Sequence, residues 1–112
     1  MIKLDTVRKL ALSLPDTTEE PHHHFGSFRV RGKIFVTIPP GGELIHVFLP
    51  DDERDRALAT DPDFLEPVHW GSKVPCVRVK LPIARASAVT DLVRKAYAYK
   101  ARAGRRLTPS KP

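Results

Sequence analysis

Apolar residues recur at helical spacing near the start of the chain. Leu4, Val7, Leu10, Ala11 and Leu14 share one face, with Lys3, Arg8 and Lys9 elsewhere on the circle. This predicts an amphipathic helix over roughly residues 2–13, stopped by Pro15. Residues 15–24, rich in Thr, Glu and His, read as a loop. From Phe25 the period becomes two: Phe28 and Val30 point one way, Arg29 and Arg31 the other, as in a half-buried strand. Gly32-Lys33 makes the turn, and Ile34, Val36 and Ile38 face the core along a second strand that ends at Pro39-Pro40. Beyond the Gly41-Gly42 turn, Leu44 to Leu49 is apolar enough to be a central third strand.

Pro50-Asp51-Asp52-Glu53-Arg54 opens a short helix with Asp51 as N-cap, running to about Thr60 and broken by Asp61-Pro62-Asp63. Phe64 to Ser72 reads as irregular or as a short strand around Val68-His69-Trp70. Val74 to Leu81 is a strand with Val77, Val79 and Leu81 inward, Arg78 and Lys80 outward. After Pro82 a long helix carries Val89, Leu92, Val93, Ala96 and Tyr97 on its apolar stripe, with Gly104 as its stop. Strands joined by tight turns exclude a parallel sheet. The expected architecture is a two-layer α+β fold: an antiparallel sheet with the N- and C-terminal helices packed on one face. A single domain is expected over residues 1–104, with a basic flexible tail over 105–112.

Composition changes this picture little. At 112 residues and 41% hydrophobic the chain suits one domain with a full core. No apolar run approaches the ~20 residues of a membrane span. Met1-Ile2-Lys3 leads directly into the first helix without a signal-peptide pattern. Cys76 is the only cysteine, so no internal disulfide forms and a cytoplasmic setting is expected. Charge is more informative. Residues 51–70 hold 2 Lys/Arg against 7 Asp/Glu, whereas residues 71–112 hold 11 against 1. Such a basic segment favours polyanionic partners.

Three stretches resemble the MmcQ/YjbR family. They are Thr18 to Phe35 (with His22-His23-His24-Phe25-Gly26 at its centre), Pro50-Asp51-Asp52-Glu53-Arg54 with residues 57–62 after it, and Trp70-Gly71-Ser72-Lys73 followed by Val77 to Leu81 and Lys95-Ala96-Tyr97. The resemblance implies a CyaY-like (frataxin-like) fold and DNA binding through a "double wing". One position departs: Cys76 stands where the family commonly has a Trp opening the last strand. Frataxins handle iron on an acidic first helix, but here that helix bears Lys3, Arg8 and Lys9 against Asp5 alone.

The residues themselves offer two kinds of chemistry. Arg29 and Arg31 on one strand and Arg78 and Lys80 on another, with Lys33 and Lys73 at turns, would form a basic sheet face suited to phosphates. DNA contacted through these six residues is therefore the leading expectation. The alternative is a small-molecule pocket near His22–His24, Trp70 and Lys73, with His23, His24 and Trp70 as its candidate lining. In an extended segment at most two of the three adjacent histidines meet one ion, so no metal site is assigned. No nucleophile beside a base, phosphate-cradling glycine loop or cofactor fingerprint is present, which points to a binding module requiring no cofactor rather than an enzyme. The acidic helix at 51–60 is a further candidate surface for a basic protein partner.

Overall fold

The computed structural model describes residues 1–106. Helix α1 (Leu4–Ser13) is followed by strands β1 (Thr17–His22), β2 (Phe25–Val30), β3 (Lys33–Ile38) and β4 (Leu44–Phe48). Helix α2 (Asp51–Thr60), strands β5 (Leu65–Trp70) and β6 (Lys73–Lys80), a 3₁₀ turn at Leu81–Ile83 and helix α3 (Ala86–Arg106) complete the chain. The six strands form one antiparallel sheet in the order β1-β2-β3-β4-β6-β5. The expected α+β class holds, with α1 and α3 against one face of the sheet.

The core lies between that face and the helices. Val7 and Ala11 of α1 and Val89, Leu92, Val93 and Ala96 of α3 are buried at i, i+3, i+4 and i+7 spacings. They meet Phe28, Val30, Phe35, Val36, Ile45, Val47, Val77 and Val79 from four strands. Each such side chain stabilises the fold by about 1.5–3 kcal/mol on burial. Tyr97 fastens the C-terminal part of α3 to this layer. Its ring meets Phe35 edge-on at 5.7 Å, and its hydroxyl donates to the Pro15 carbonyl at 2.8 Å.

Residues 17–22, read as loop from the sequence, form edge strand β1, fully registered against β2 from Thr17↔Val30 to His22↔Phe25. Its side chains are mostly exposed, so it has no apolar alternation to betray it. Backbone pairing holds it, helped by Arg8 Nε donating to Glu19 at 2.9 Å and Ser27 Oγ donating to the Glu20 carbonyl at 2.7 Å. The other edge, β5, is the strand alternative read around Val68-His69-Trp70, extended back to Leu65. Both edges carry a proline, Pro21 and Pro67, which lacks the N–H a further strand would need.

Two irregularities decide which side chains face which layer. Phe28 pairs with Val36 but Arg29 pairs with Ile34, so β3 carries Phe35 as an extra residue. Ile34 is thereby turned away from the helices, contrary to the simple alternation that aligned it with Val36 and Ile38. It packs instead beside Phe48, Val68 and Cys76 on the opposite face. A second register shift lies between Val68↔Cys76 and Trp70↔Lys73, where β6 holds Pro75.

Smaller expectations also shift. Pro50, not Asp51, is the N-cap of α2, and Asp51, Asp52 and Glu53 occupy the first turn, where the helix dipole favours them. The turn between β2 and β3 is Arg31-Gly32, both at positive φ (49° and 84°), one residue earlier than expected. Helix α3 passes through Gly104 to Arg106, so the stop expected at Gly104 is not used. Residues 107–112 of the expected basic tail lie outside the described residues.

Candidate functional site

The sheet face away from the helices is a graded surface built from cross-strand rows. One row reads Glu20, Ser27, Thr37, His46, Arg78, Glu66 across the sheet; beside it Thr18, Arg29 and Ile34 align on one side and Phe48, Cys76 and Val68 on the other, with Ile34 packed against the latter three. Where the β1–β2 hairpin rises over this face it forms a cleft of about 390 Å³. The wall is His22, His23, His24 and Phe25, the floor is Ile34, Thr37, His46 and Phe48, and Trp70 stands opposite. Pockets of roughly 300–1,000 Å³ lined mainly by apolar and aromatic groups suit small ligands.

Each wall has a structural cause. His23 and His24 are the central residues of a two-residue hairpin, with His23 held at φ 59°. That left-handed conformation is strained for a residue with a Cβ, and it aims the imidazole loop over the sheet. His22 and His23 rings lie 4.7 Å apart, and Phe25 tilts against His46 at 6.0 Å. Trp70 is 60% exposed and rests edge-on against Phe48 at 5.9 Å, a lid over one end rather than a core residue. Gly71, at φ 64°, opens the β5–β6 turn that sets its height.

A polar row braces the floor. Arg78 donates from Nε to His46 Nε2 at 3.3 Å and from Nη1 to Glu66 Oε2 at 3.0 Å. Burial, and then the charge of Arg78, hold the His46 imidazole below its usual pKa. The hydrogen bond from Arg78 is the main reason Glu66 sits below the usual carboxylate range. Cys76 is fully buried beneath the cleft, and desolvation pushes its thiol up to about 11 despite the opposing charge of Arg78. It is therefore a packing residue, not a nucleophile. Among the described residues no three His, Cys, Asp or Glu side chains converge as a metal site.

The six expected phosphate contacts do not form one continuous track. Arg29, Arg78 and Lys80 share the open face. Arg31 does not, because it belongs to the turn: it donates to Asp16 at 2.7 Å and reaches the Ala101 carbonyl on the helix side at 3.4 Å. Arg29 lies 3.9 Å from Glu20 and donates to Ser27 and the Pro21 carbonyl. Arg78 and Lys80 share Glu66 at 3.0 and 3.8 Å. Lys33 and Lys73 are exposed at the starts of β3 and β6, both antiparallel to β4 and therefore at the same end of the sheet.

Of the expected pocket lining, His23, His24 and Trp70 do come together, with His22 beside them. Lys73 instead lies in a separate groove with Asp51, Arg54 and Ser72. Sequence reasoning missed Phe25, Ile34, Thr37, His46 and Phe48 as lining. The period-two alternation of Leu44, His46 and Phe48 along β4 was a readable signal for the floor. The Phe35 bulge, which delivers Ile34 and Thr37, left none.

These features define a small two-layer α+β domain with helices on one sheet face and an aromatic, imidazole-lined cleft on the other. The YjbR family model matches residues 12–99, and the chain belongs to the YjbR family. Its fold is similar to that of the Deinococcus radiodurans protein DR2400, a DUF419-domain protein known from its crystal structure. The likeness has a TM-score of 0.77 at 18% identity and covers 93% of this chain and 82% of that one. None of the curated proteins matches the chain.

Proposed function

We propose that this protein is a non-enzymatic binding module that takes a small, flat, largely apolar molecule in the cleft between the His22–Phe25 hairpin and Trp70. The observation that supports this best is the concavity itself: about 390 Å³ closed by the aromatic and imidazole groups of the His22–Phe25 hairpin on one side and Trp70 on the other, over a floor in which Ile34 and Phe48 supply the apolar surface. Flat ring systems suit such walls because offset and edge contacts between rings add about 0.5–1.5 kcal/mol beyond area burial. Thr37 and His46 supply a few polar atoms along the floor, enough to orient a ligand. This reading is preferred to a DNA-phosphate track because Arg29, Arg31, Arg78 and Lys80 each have a carboxylate within 4 Å.

Trp70 is the only tryptophan, so it reports occupancy directly. Titration with the neutral probe N-phenyl-1-naphthylamine should give saturable energy transfer from Trp70, with a Kd on the order of micromolar. Phe25→Ala should weaken it by about tenfold, since one wall is lost. Absence of any saturable transfer would remove the cleft as a ligand site.

A further inference from the structure

The floor of the cleft holds two polar groups that the protein itself leaves unused. Thr37 and His46 are directly opposed across β3 and β4, and both line the cleft. Thr37 is only 6% exposed, yet among the described residues its hydroxyl has no hydrogen-bond partner. No fully buried side-chain N or O among the described residues lacks a partner, so this hydroxyl is the part of Thr37 that opens into the cleft. His46 Nε2 accepts from Arg78 Nε, which leaves the ring proton on Nδ1 as a second uncommitted donor. Directly opposed residues hold their Cβ atoms about 4.5–5.5 Å apart, so both groups reach a single acceptor placed between them. The neighbouring polar groups are committed. Ser27 Oγ donates to the Glu20 carbonyl and accepts from Arg29 Nε, and Arg78 Nη1 donates to Glu66. The floor therefore offers two neutral donors and no free charge. The imidazoles of His23 and His24 stand exposed on the wall, where water serves them equally well.

We infer that the ligand is an uncharged planar aromatic carbonyl compound, its ring over Ile34 and Phe48 beside Trp70 and its oxygen accepting from Thr37 Oγ1 and His46 Nδ1. This rests on the cleft being a ligand site, and it adds the ligand's functional group and its orientation. A bare hydrocarbon ring would strip water from both donors and return nothing, whereas a carbonyl oxygen has a lone pair for each. A carboxylate there would lose its hydration with no cation to replace it. Phe25 packs against His46 at the polar end, and Trp70 meets Phe48 at the apolar end, so the molecule is fixed at both. The slot selects a flat ring, and the donor pair selects its oxygen.

The test compares flavone with 4H-flavene, the same skeleton without the carbonyl oxygen, each displacing bound N-phenyl-1-naphthylamine. Flavone should bind about tenfold more tightly. The quantity followed across variants is the ratio of the two affinities, in which changes of cleft shape common to both ligands cancel. Thr37→Val, close in shape but lacking the hydroxyl, should reduce the ratio to about threefold, and His46→Phe should do the same. Thr37→Ser keeps the hydroxyl and should keep the ratio near that of the parent. If flavone and flavene displace the probe equally in the parent, the cleft stands and the carbonyl assignment falls. A ratio untouched by Thr37→Val or by His46→Phe overturns the two-donor arrangement in the same way. If N-phenyl-1-naphthylamine itself does not bind, the cleft and the carbonyl assignment fall together.

Discussion

Arg78 and His46 face each other across the β4–β6 pair, with the arginine Nε donating to His46 Nε2 at 3.3 Å. The imidazole accepts through Nε2, so its proton resides on Nδ1 and the ring is neutral. Replacing Arg78 with alanine removes a positive neighbour. The His46 pKa should then rise, measured by NMR titration of its ring protons. A fall, or no change, would contradict the assigned contact.

Acid should destabilise the protein in two stages. His46 has its folded pKa below the ordinary 6.5, so the unfolded chain takes up that proton first. Stability is complete above that value and declines as pH falls below it, towards the folded pKa. Glu66, also depressed by its partners, adds a second loss only as pH drops below 4.5. Urea midpoints at pH 7.5 and 5.5 should differ less in His46→Asn than in the parent. An equal difference in both would show that other groups carry the effect.

Cys76 should be nearly inert in the native state. A thiol moved from 9.0 to about 11 carries about a hundredfold less thiolate at a given pH, before steric protection is counted. Reaction with Ellman's reagent at pH 8 should be slow until urea unfolds the chain, then rapid. Quick native labelling would mean that the lower cluster of Phe48, Val68 and Cys76 opens readily.

The hairpin of the cleft wall stores strain at His23, whose φ is 59°. His23→Gly should stabilise the protein by about 0.5–1 kcal/mol in urea denaturation, because glycine adopts this conformation without cost. His24→Gly, at a position with no positive φ, should destabilise it. Equal effects at the two positions would mean that the turn conformation differs from the one described.

Duplex DNA should bind weakly and with a shallow salt dependence. Six free phosphate contacts would give a slope of log K against log salt of about −5. Four of the six candidate cations are shared with carboxylates, leaving Lys33 and Lys73 and a slope of about −2. Anisotropy with a short duplex across a salt series decides between these values. The steeper slope would restore the phosphate track.

The layer arrangement was legible because its signals are strong and local. Leu4 to Leu14 and Val89 to Tyr97 keep helical spacing, while Val77 and Val79 alternate with Arg78 and Lys80. Strand β1 was hidden because an edge strand with two solvent-facing flanks needs no apolar code, only backbone partners supplied by β2. The histidine run and Trp70 were visible as candidates for a pocket. Their floor was not, because a one-residue bulge at Phe35 reverses the facing of Ile34, and period-two reading assumes no such slip. Arg31 misled for a related reason. Alternation places it beside Arg29, but the turn begins at Arg31 and sends it to Asp16.

The extra residue in β3 has an implication for how this chain can vary. A continuous apolar run, Ile34-Phe35-Val36, is divided so that Phe35 and Val36 anchor the helices while Ile34 carpets the opposite side. Changing the bulk of Ile34 reshapes the recess without reopening the interior, and repacking Val36 leaves the recess untouched. Selection for new cargo and selection for durability therefore act on neighbouring letters of the same strand without competing for them.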